Sequence, residues 1–557
     1  MTLLGEEKIL SKIKLFALGG QNENGKNMYV IEVDKSILVF EAGLNYATEE
    51  TLGIDYIIPN IEYLKNNKER IKGIFLTHGH DENVGALADI LPDLEGIKVY
   101  GSKFTIDLAK EELETYNVDT SSLVEIKPYK VLNIDKLTIF PMQFSHSIPG
   151  NLGYAIYTDD GVIMYTTDFV FDSLMEGNYK TDIGKIAYIG KQKVLCLITE
   201  SMYAAKEGFT SPNHRIYNII RECLNKSQGR IIFNVLNSHL YIIQELFNEV
   251  SKTEKKIVIM GKKLQNIINN AINNGYLSID KRFIGDLSNL NDKNAVILNS
   301  NEREKPYYNI IKIVNGYDKF IKLNDNDTVF LSTPVYEGIE KTYYHLLDEL
   351  AKKGCNIVTL SPKKVLNYHA SSEDLMLLID LLNPKYYFPA RGEYRYMVAN
   401  ASLAEKQGIP KENIILKLNG EVAEIIDGKL IESYKKVPSG SILIDGKSSD
   451  DVGELVIKDR EMLSNNGIMI ISITVNKKNK KMLASPEILT RGFIYVKDST
   501  DLLNSLKEMI TKIVLDNTRN NYIEYGKVKS SIREELSKYL VNQTGNKPMI
   551  ITVVQEI

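Results

Sequence analysis

The chain has 557 residues, which is too many for one hydrophobic core, so we expect about two to four domains. Its 43% hydrophobic and 25% charged residues are typical of a globular protein. No run of about eighteen apolar residues and no signal peptide is visible. These features predict a cytoplasmic protein without a membrane span. Cys196, Cys223 and Cys355 are far apart, which argues against a disulfide framework or a thiolate zinc site. The net charge of -4 argues against a strongly basic nucleic-acid binder, although a local positive cleft is compatible with that sum.

The N-terminal part combines short apolar runs with turns. The runs at 14–20, 27–33 and 36–43 are spaced like adjacent, mostly antiparallel strands. Further strands are predicted at 98–100, 137–142, 152–157 and 162–166, and helices at about 61–69, 84–91 and 103–116. This combination indicates an α+β domain.

From about residue 206, single apolar strands alternate with helices. Strands at 230–234, 256–260, 295–298 and 328–331 predict a parallel sheet covered by helices, and hence a second domain. After a strand at 385–389, short strand-like runs continue to 442–444, and a stretch rich in Gly, Ser and Asp follows at 445–453. A strand at 468–473, a helix from Leu502 to about Asn517 and a strand at 549–554 predict a small α/β domain at the end.

The most informative stretch is the turn after the apolar run 74–76. It contains His78-Gly79-His80, followed by Asp81, Glu82 and Asn83. Two imidazoles separated by one small residue can converge on one metal ion, and neutral imidazole is a common zinc ligand. A structural interpretation is also open, because the pair can form a polar turn while the acidic and amide residues cap the next helix.

Other predicted strands also end in side chains that can bind metal or phosphate. His146 follows the strand at 137–142 and Asp168 follows the strand at 162–166. His369 and Arg391 lie in similar turns far downstream. A single buried histidine is usually structural, so for His146 or His369 taken alone that interpretation stays open.

The order of these motifs resembles the metallo-β-lactamase fold with a β-CASP insertion, and specifically bacterial ribonuclease J. Besides the turn at His78, the resemblance is carried by residues 17–20, 25–29, 52–59, 145–149, 167–172, 392–395, 488–495 and 547–550. It implies an α/β fold: a metallo-β-lactamase αββα sandwich with an inserted β-CASP domain and a small α/β C-terminal domain. It also implies an enzyme that cleaves RNA from a 5′ monophosphate end or internally, with two metal ions between the lactamase-like and β-CASP domains.

The resemblance also gives the domain limits that we expect. Residues 1–205 and 365–444 form the lactamase-like domain, and residues 206–364 form the β-CASP domain. A linker at 445–455 then leads to the C-terminal domain at 456–557.

Several metal-binding positions depart from the family motifs. The family motif is His-x-His-x-Asp-His. In this chain Glu82 replaces the aspartate of the motif, and Asn83 replaces its last histidine. Arg391 replaces the final metal histidine, and Glu41 replaces the usual aspartate of the first motif. The chain therefore resembles the degenerate second paralogue that occurs where bacteria carry two ribonucleases J.

The phosphate-holding motifs depart from the family as well. The family's Thr-Gly-Ser loop corresponds to Ser300-Asn301-Glu302, and only His369 is retained from its His-Thr-Ser-Gly-His motif. By resemblance, Asp168 and His369 are the candidate catalytic residues. The candidate substrate-binding residues are Val365, Leu366, Asn367, Tyr368, His369 and Arg391.

The retained side chains predict one metal site rather than two. His78, His80, His146 and Asp168 offer three nitrogens and a carboxylate, which is adequate for zinc, and Glu82 is a further candidate ligand. Arg391 cannot bind metal because it stays protonated, and a guanidinium within about 4 Å repels a divalent cation by several kcal/mol even at an effective dielectric near 20. We therefore expect at most one zinc or manganese ion per chain. Arg391 would supply the positive charge in place of the second ion and pair with Asp168 or Glu82.

The leading interpretation is a ribonuclease J-type subunit for RNA maturation and decay. It would have weak or no activity of its own and would act with an active ribonuclease J. Three alternatives stay open: a fully active ribonuclease in which Glu82 binds metal and Arg391 holds phosphate, a small-molecule metallo-hydrolase, and a scaffold without metal. The β-CASP-like insertion and the C-terminal domain argue against the small-molecule hydrolase.

The expected partners are RNA, the active paralogue and a second copy of the chain. The C-terminal helix has an apolar stripe formed by Leu502, Leu503, Leu506, Met509, Ile510, Ile513 and Val514. This stripe either covers the domain's own strands or forms a contact with a partner. In the first case, association would use the outer face of the sheet or the lactamase-like domain. We expect deletion of residues 455–557 to weaken assembly while the N-terminal part stays folded.

Overall fold

The structure, a computed structural model, describes residues 11–47, 53–301, 305–335, 338–364, 366–446, 454–493, 500–519 and 522–557. The chain divides into two compact units. The smaller unit comprises residues 47–56 and 443–557, and the larger unit comprises the rest. Among the described helices, none combines the length and the apolar character needed to cross a membrane.

Two facing sheets form the core of the larger unit. The eight strands of the first sheet are, in order, Lys429–Ile431, Ala423–Ile426, Lys12–Gly19, Met28–Val33, Ser36–Phe40, Ile71–Phe75, Val99–Gly101 and Leu123–Glu125. Its first five strands are antiparallel neighbours, which confirms the antiparallel arrangement predicted for the N-terminal runs, and the remaining pairs are parallel. Their apolar side chains meet those of the second sheet, where the Phe40 and Tyr165 ring centroids are 4.6 Å apart.

The second sheet aligns the strand ends that carry the candidate site. Its six strands are, in order, Tyr386–Ala390, Val194–Glu200, Gly161–Tyr165, Leu152–Thr158, Leu137–Gln143 and Leu132–Ile134. Val194–Glu200 runs parallel to both of its neighbours, so the carboxyl ends of these three strands lie at the same edge. Helices Ile183–Gly190, Ser372–Leu382 and Tyr394–Lys406 pack on the outer face of this sheet.

Shorter elements complete this part of the larger unit. Its other helices are Glu62–Lys65, Asp81–Val84, Leu87–Ile90 and Lys103–Thr115, with 3-10 turns at Lys68–Arg70, Gly177–Tyr179 and Lys411–Asn413. A short strand lies at Asn45–Tyr46, and short strands at Tyr56–Pro59 and Ser441–Ile444 include residues of both units. The helix predicted at 84–91 is wrong in detail, because the chain forms two single turns there. Gly85 separates them, and a Cβ on Gly85 would lie 2.6 Å from the Leu44 side chain, so the chain must pass close at this point.

The inserted segment forms a parallel sheet covered by helices, as predicted, and the sheet has a fifth strand, Asn356–Val358, in addition to the four predicted ones. Its strands are, in order, Lys256–Ile259, Ala295–Asn301, Ile231–Leu236, Thr328–Leu331 and Asn356–Val358. Helices Tyr217–Lys226, Leu240–Val250 and Lys262–Asn273 cover one face, Tyr308–Val314 and Glu340–Lys352 cover the other, and 3-10 turns lie at Lys281–Phe283 and Leu287–Asn291. The first helical layer shares its apolar core with Phe104, Ile148 and Val170 of the two-sheet part, beside the candidate site.

The smaller unit contains a three-stranded sheet with helices on one face. The strands are, in order, Glu487–Arg491, Ile468–Val475 and Met549–Glu556. Helices Thr500–Asp516 and Tyr525–Thr544 pack on the sheet, and the unit also contains helix Glu454–Asn466 and short strands at Thr518–Arg519 and Tyr522–Ile523. Leu506, Ile510, Ile513 and Val514 of the predicted apolar stripe are buried against the central strand. The stripe therefore covers the domain's own strands.

Several strands were absent from the sequence-based prediction, among them Leu123–Glu125, Leu132–Ile134, Asn356–Val358 and Glu487–Arg491, and part of one predicted segment cannot be compared. Val194–Glu200 is another, a buried strand that lies in the middle of the second sheet. Most of the predicted linker at 445–455 lies outside the described residues.

Candidate metal centre

The two histidines of the His78 turn follow strand Ile71–Phe75 directly. Gly79 lies between them. A larger residue would not pack at this position, because a Cβ on Gly79 would lie 2.6 Å from a methyl group of Leu108. The next turn is fixed by the backbone: Asn27 donates to the Glu82 carbonyl (3.1 Å), and Ala42 donates to the Asn83 carbonyl (2.7 Å). Glu82 and Asn83 are therefore held in place by residues next to strands Met28–Val33 and Ser36–Phe40 of the first sheet.

Three imidazoles and one carboxylate converge in this region. His78 Nε2 lies 3.6 Å from Asp168 Oδ2, and His146 Nε2 lies 3.8 Å from the same oxygen. His80 Nδ1 lies 3.0 Å from His78 Nε2 and 3.4 Å from His146 Nε2. One donor atom from each of the four residues falls within 4.8 Å of all the others, and all four residues are buried. Three nitrogens and one carboxylate oxygen at this spacing suit a tetrahedral zinc site, and manganese also accepts such donors.

The protonation of these histidines suits metal binding. Burial, followed by the neighbouring histidines, holds the pKa of His78 and of His146 well below the usual value. Both rings are therefore neutral near pH 7, which is the form that binds metal. The Nδ1 atom of His146 lies 3.1 Å from the Tyr368 carbonyl, an acceptor, so Nδ1 carries the proton and Nε2 keeps its lone pair for a metal.

Glu41 does not reach the metal ligands directly but supports the same loop. Its carboxylate accepts hydrogen bonds from the Thr77 amide (3.1 Å) and the Thr77 hydroxyl (2.6 Å), and the Thr77 hydroxyl also lies 2.9 Å from His78 Nδ1. Burial raises the pKa of Glu41 to about 8. This family-altered position therefore contributes to positioning His78.

Arg391 directly follows strand Tyr386–Ala390, which lies at one edge of the second sheet. Its backbone amide donates to Gln21 Oε1 (3.1 Å) and to the Tyr29 hydroxyl (2.8 Å), and its backbone has a left-handed φ of 51°. The guanidinium contacts Asp168 Oδ1 through Nη1 and lies 2.9 Å from Glu82 Oε1 through Nη2, with 1% of the residue exposed. Burial alone would lower the pKa of Arg391, but Asp168, Glu82 and Glu200 outweigh burial and raise it. Arg391 is thus a permanent cation between the carboxylates of Asp168 and Glu82.

His369 pairs with a carboxylate that the sequence analysis did not identify. His369 Nδ1 lies 2.8 Å from Glu200 Oε2 and 3.5 Å from Asp168 Oδ1. Burial opposes the charge on His369, but Glu200 and Asp168 raise its pKa to about 9. Glu200 Oε1 accepts from the amides of Phe169 and Ala370 (both 3.0 Å), so it fixes the backbone beside Asp168 and His369. Glu200 ends strand Val194–Glu200, which the sequence analysis did not predict, and its place after a buried apolar run was an available signal.

The remaining predicted substrate residues lie at or near the boundary of the inserted segment. Leu366 is buried in the apolar core shared with that segment, and Asn367 donates from Nδ2 to the Tyr203 hydroxyl (2.7 Å). Tyr368 is fully buried. Ser300 and Asn301 end a strand of the parallel sheet, where Asn309 contacts both of them. Val365 and Glu302 lie outside the described residues.

Three family models match consecutive parts of the chain. They describe the metallo-beta-lactamase superfamily (residues 22–188), the ribonuclease J beta-CASP domain (residues 228–350) and the ribonuclease J C-terminal domain (residues 455–557). These matches confirm the predicted architecture of a metallo-β-lactamase fold with a β-CASP insertion and a C-terminal domain.

Two curated proteins match over nearly the whole chain. Ribonuclease J2 of Bacillus subtilis (strain 168) is 35% identical over 556 residues, which covers 99% of this chain and 100% of that protein. Ribonuclease J 2 of Staphylococcus aureus (strain MRSA252) is 35% identical over 549 residues, 98% of each chain. Among solved structures, a protein of unknown function from Enterococcus faecalis V583 superimposes with a TM-score of 0.51 at 16% identity, over 74% of this chain and 100% of that one. This last likeness concerns the fold alone.

Proposed function

The chain belongs to the ribonuclease J family, and from this membership we propose that it is a ribonuclease J-type subunit for RNA maturation and decay. In this proposal the chain holds at most one zinc or manganese ion and has little or no nuclease activity of its own. It acts together with an active ribonuclease J.

One observation carries the proposal: the guanidinium of Arg391 lies against Asp168 and Glu82. Two-metal hydrolysis of a phosphodiester uses two ions about 3.5–4 Å apart, which share carboxylate ligands. Here three buried carboxylates, those of Glu82, Asp168 and Glu200, are already paired with the two cations Arg391 and His369. A second divalent ion would add two positive charges to carboxylates that are already paired, so its binding is disfavoured.

The chain's own residues have distinct parts in this proposal. His78, His80, His146 and Asp168 would hold one ion, which when bound supplies Lewis-acid polarisation of a phosphodiester. His369 is protonated at neutral pH and can donate a proton to a leaving oxygen, while Glu200 orients its ring. These groups can assist a slow residual reaction, but they do not replace the second ion.

Two alternatives are less well supported by the geometry. An active nuclease that uses Arg391 to hold substrate phosphate would need this side chain to reach solvent, yet only 2% of the side chain is exposed and two carboxylates hold it. A small-molecule hydrolase would not need the β-CASP and C-terminal domains that the family models match.

Metal analysis combined with a nuclease assay tests the proposal. The purified full-length chain should contain at most about one zinc or manganese ion and should degrade a 5′-monophosphorylated RNA slowly or not at all. An active ribonuclease J added to the chain should restore degradation. Rapid metal-dependent degradation by the chain alone would refute the proposal.

A further inference from the structure

One exposed surface of the inserted segment combines aromatic rings with lysines. It belongs to the helical layer formed by Tyr308–Val314 and Glu340–Lys352, on the face of the parallel sheet opposite the helices that adjoin the two-sheet part. It is therefore separate from the candidate metal centre. We call it the aromatic-basic surface, and its members are Lys305, Tyr308, Lys312, Tyr317, Lys319 and Phe320.

The three aromatic side chains of this surface face solvent. Tyr317 is 78% exposed, Phe320 58% and Tyr308 50%. Single exposed apolar side chains are ordinary on protein surfaces, whereas several together mark a place where a ligand binds. The same stretch buries Ile310 and Ile321 in the core of the segment, so the three rings are not needed to anchor it.

The loop after the helix is held by hydrogen bonds of its own. The Tyr317 amide donates to the Lys312 carbonyl (2.9 Å), a contact typical of a helix end. Asp318 Oδ1 accepts from the amides of Phe320 (2.8 Å) and Ile321 (2.7 Å). A ligand would therefore meet the two exposed rings of the loop already in place, which lowers the cost of ordering the loop.

The lysines of the surface are available to an anion. Lys312 Nζ lies 4.1 Å from the centroid of the Tyr308 ring. The hydrogen bond and charge of Lys312, followed by the charge of Lys305, lower the pKa of Tyr308, so both lysines lie beside its hydroxyl. Within the described residues, neither of these lysines nor Lys319 forms an ion pair with a carboxylate. In a chain whose net charge is -4, this surface is a local region of positive charge.

We infer that the aromatic-basic surface binds single-stranded RNA, as a contact separate from the candidate metal centre. Exposed aromatic rings stack on bases of any sequence, and lysines between them neutralise the phosphates. Unpaired lysines are unfavourable at the centre of a protein interface, so this combination suits RNA better than a protein partner. The inference rests on the proposed function only in taking RNA as the ligand, and it requires neither a metal ion nor turnover.

Fluorescence anisotropy with a labelled single-stranded oligouridine tests the inference on the purified full-length chain, with a gel to confirm that the RNA stays intact. Tyr317→Ala with Phe320→Ala should weaken binding at least about tenfold, through lost stacking. Lys305→Gln, Lys312→Gln and Lys319→Gln together should reduce the slope of log affinity against log salt by about 2, since each single-strand phosphate contact contributes about 0.7. RNA that contains 5-bromouridine should crosslink to Tyr308, Tyr317 or Phe320 under ultraviolet light.

A matched control is the combined change Tyr434→Ala, Lys435→Gln and Lys436→Gln. Tyr434 is 84% exposed, but Lys435 and Lys436 are paired with Glu424 (2.9 Å) and Glu421 (3.1 Å). The control removes the same kinds of side chain from a place where the lysines are already neutralised. It should leave both the affinity for RNA and the salt slope unchanged.

Three results would overturn the inference. The first is unchanged RNA affinity in the aromatic variant, and the second is an equal loss in the control. The third is weaker association with an active ribonuclease J, in sedimentation, at unchanged RNA affinity, which would make this surface a protein contact. Circular dichroism checks folding, and if the aromatic variant does not fold, an unchanged salt slope in the lysine variant overturns the inference by itself. Metal content and nuclease activity do not enter these measurements, so the proposed function is tested separately.

Discussion

The guanidinium of Arg391 and the carboxylate of Asp168 form a buried ion pair at the ends of two strands of one sheet. Asp168 is also the only carboxylate among the four candidate metal ligands. Burial alone would raise the pKa of Asp168, but Arg391 and His369 hold it well below its usual value. The carboxylate is therefore ionised whether or not a metal is bound, and Arg391 compensates its charge.

The first prediction concerns the stability of this ion pair. Arg391→Ala leaves Asp168 and Glu82 buried with their cation removed, so we expect a loss of about 3–5 kcal/mol in the free energy of unfolding. Urea unfolding followed by circular dichroism measures the loss. Added zinc or manganese should recover more stability in the variant than in the wild type, because a metal ion can then replace the missing charge.

Arg395→Ala is the matched control for this experiment. Arg395 lies one turn further along, and its guanidinium stacks on the Tyr396 ring at 4.6 Å from the ring centroid. Its removal should change stability by less than about 1 kcal/mol. Equal effects of the two substitutions, or no metal-dependent recovery in Arg391→Ala, would contradict the charge-compensation argument.

The second prediction concerns restoration of the second metal position. The combined change Glu82→Asp, Asn83→His and Arg391→His should bind a second equivalent of metal and degrade RNA faster than any single change does. The reason is that the ligands of a metal site act as a unit, so each one alone contributes little. Elemental analysis and degradation of a 5′-monophosphorylated RNA are the measurements.

Adding His146→Ala to the restored chain is the control, because it removes a ligand of the first position. It should return the activity to the wild-type level. Two tightly bound equivalents in the unchanged chain would show that Arg391 does not block the second position.

The sequence predicted the local parts of this site better than the distant ones. The turn at His78 and the strand ends at His146 and Asp168 were identified because each is a short polar stretch after an apolar run. Glu200 was not identified because its strand, Val194–Glu200, was missed, although seven buried residues in a row are typical of a central parallel strand. The ring contacts of Tyr368 with His146 and His214 could not be predicted, since these residues are far apart in sequence and meet only in the folded chain.

Part of the fold was predictable because its signals also lie in short stretches of sequence. The alternation of strands and helices after residue 206 indicated a parallel sheet, and the structure has one. The helix predicted at 84–91 was wrong in detail because the apolar spacing did not reveal the interruption at 85–86, which separates Asp81–Val84 from Leu87–Ile90. The domain limits at 205, 364 and 444 stay predictions.

The third prediction concerns the pH dependence of stability. The pKa of His369 is raised from 6.5 to about 9 in the folded chain, mainly by Glu200 and Asp168 acting against burial. The folded state therefore binds more protons than the unfolded state between these values. The stabilisation from His369 is complete below about pH 6.5 and is lost as the pH rises to about 9, by up to about 3 kcal/mol.

His369→Gln isolates this contribution, because Glu41 also loses its proton in the folded state at a raised pKa of about 8 and affects stability in the same direction. Urea unfolding at pH 6, 7, 8 and 9 should show a steeper fall in the wild type than in the variant. Parallel curves would mean that His369 is not charged in the folded chain.

The last prediction concerns assembly with an active ribonuclease J. The apolar helical stripe in the C-terminal unit is used inside that unit, so it is not the contact surface. The opposite face of the sheet carries an apolar row: Leu489 and Ile551 lie on either side of Ile470, and they are 49% and 42% exposed. A row of exposed apolar side chains across three strands suits burial against a protein partner.

We expect Leu489→Lys with Ile551→Lys to weaken association at least tenfold in sedimentation of the full-length chain with the paralogue. Leu515→Lys, on the helical side and 61% exposed in the wild type, should leave association unchanged. Deletion of residues 455–557 should also weaken association while the larger unit still unfolds cooperatively. Normal assembly of the double-lysine chain would exclude this face and leave the lactamase-like domain as the surface to test.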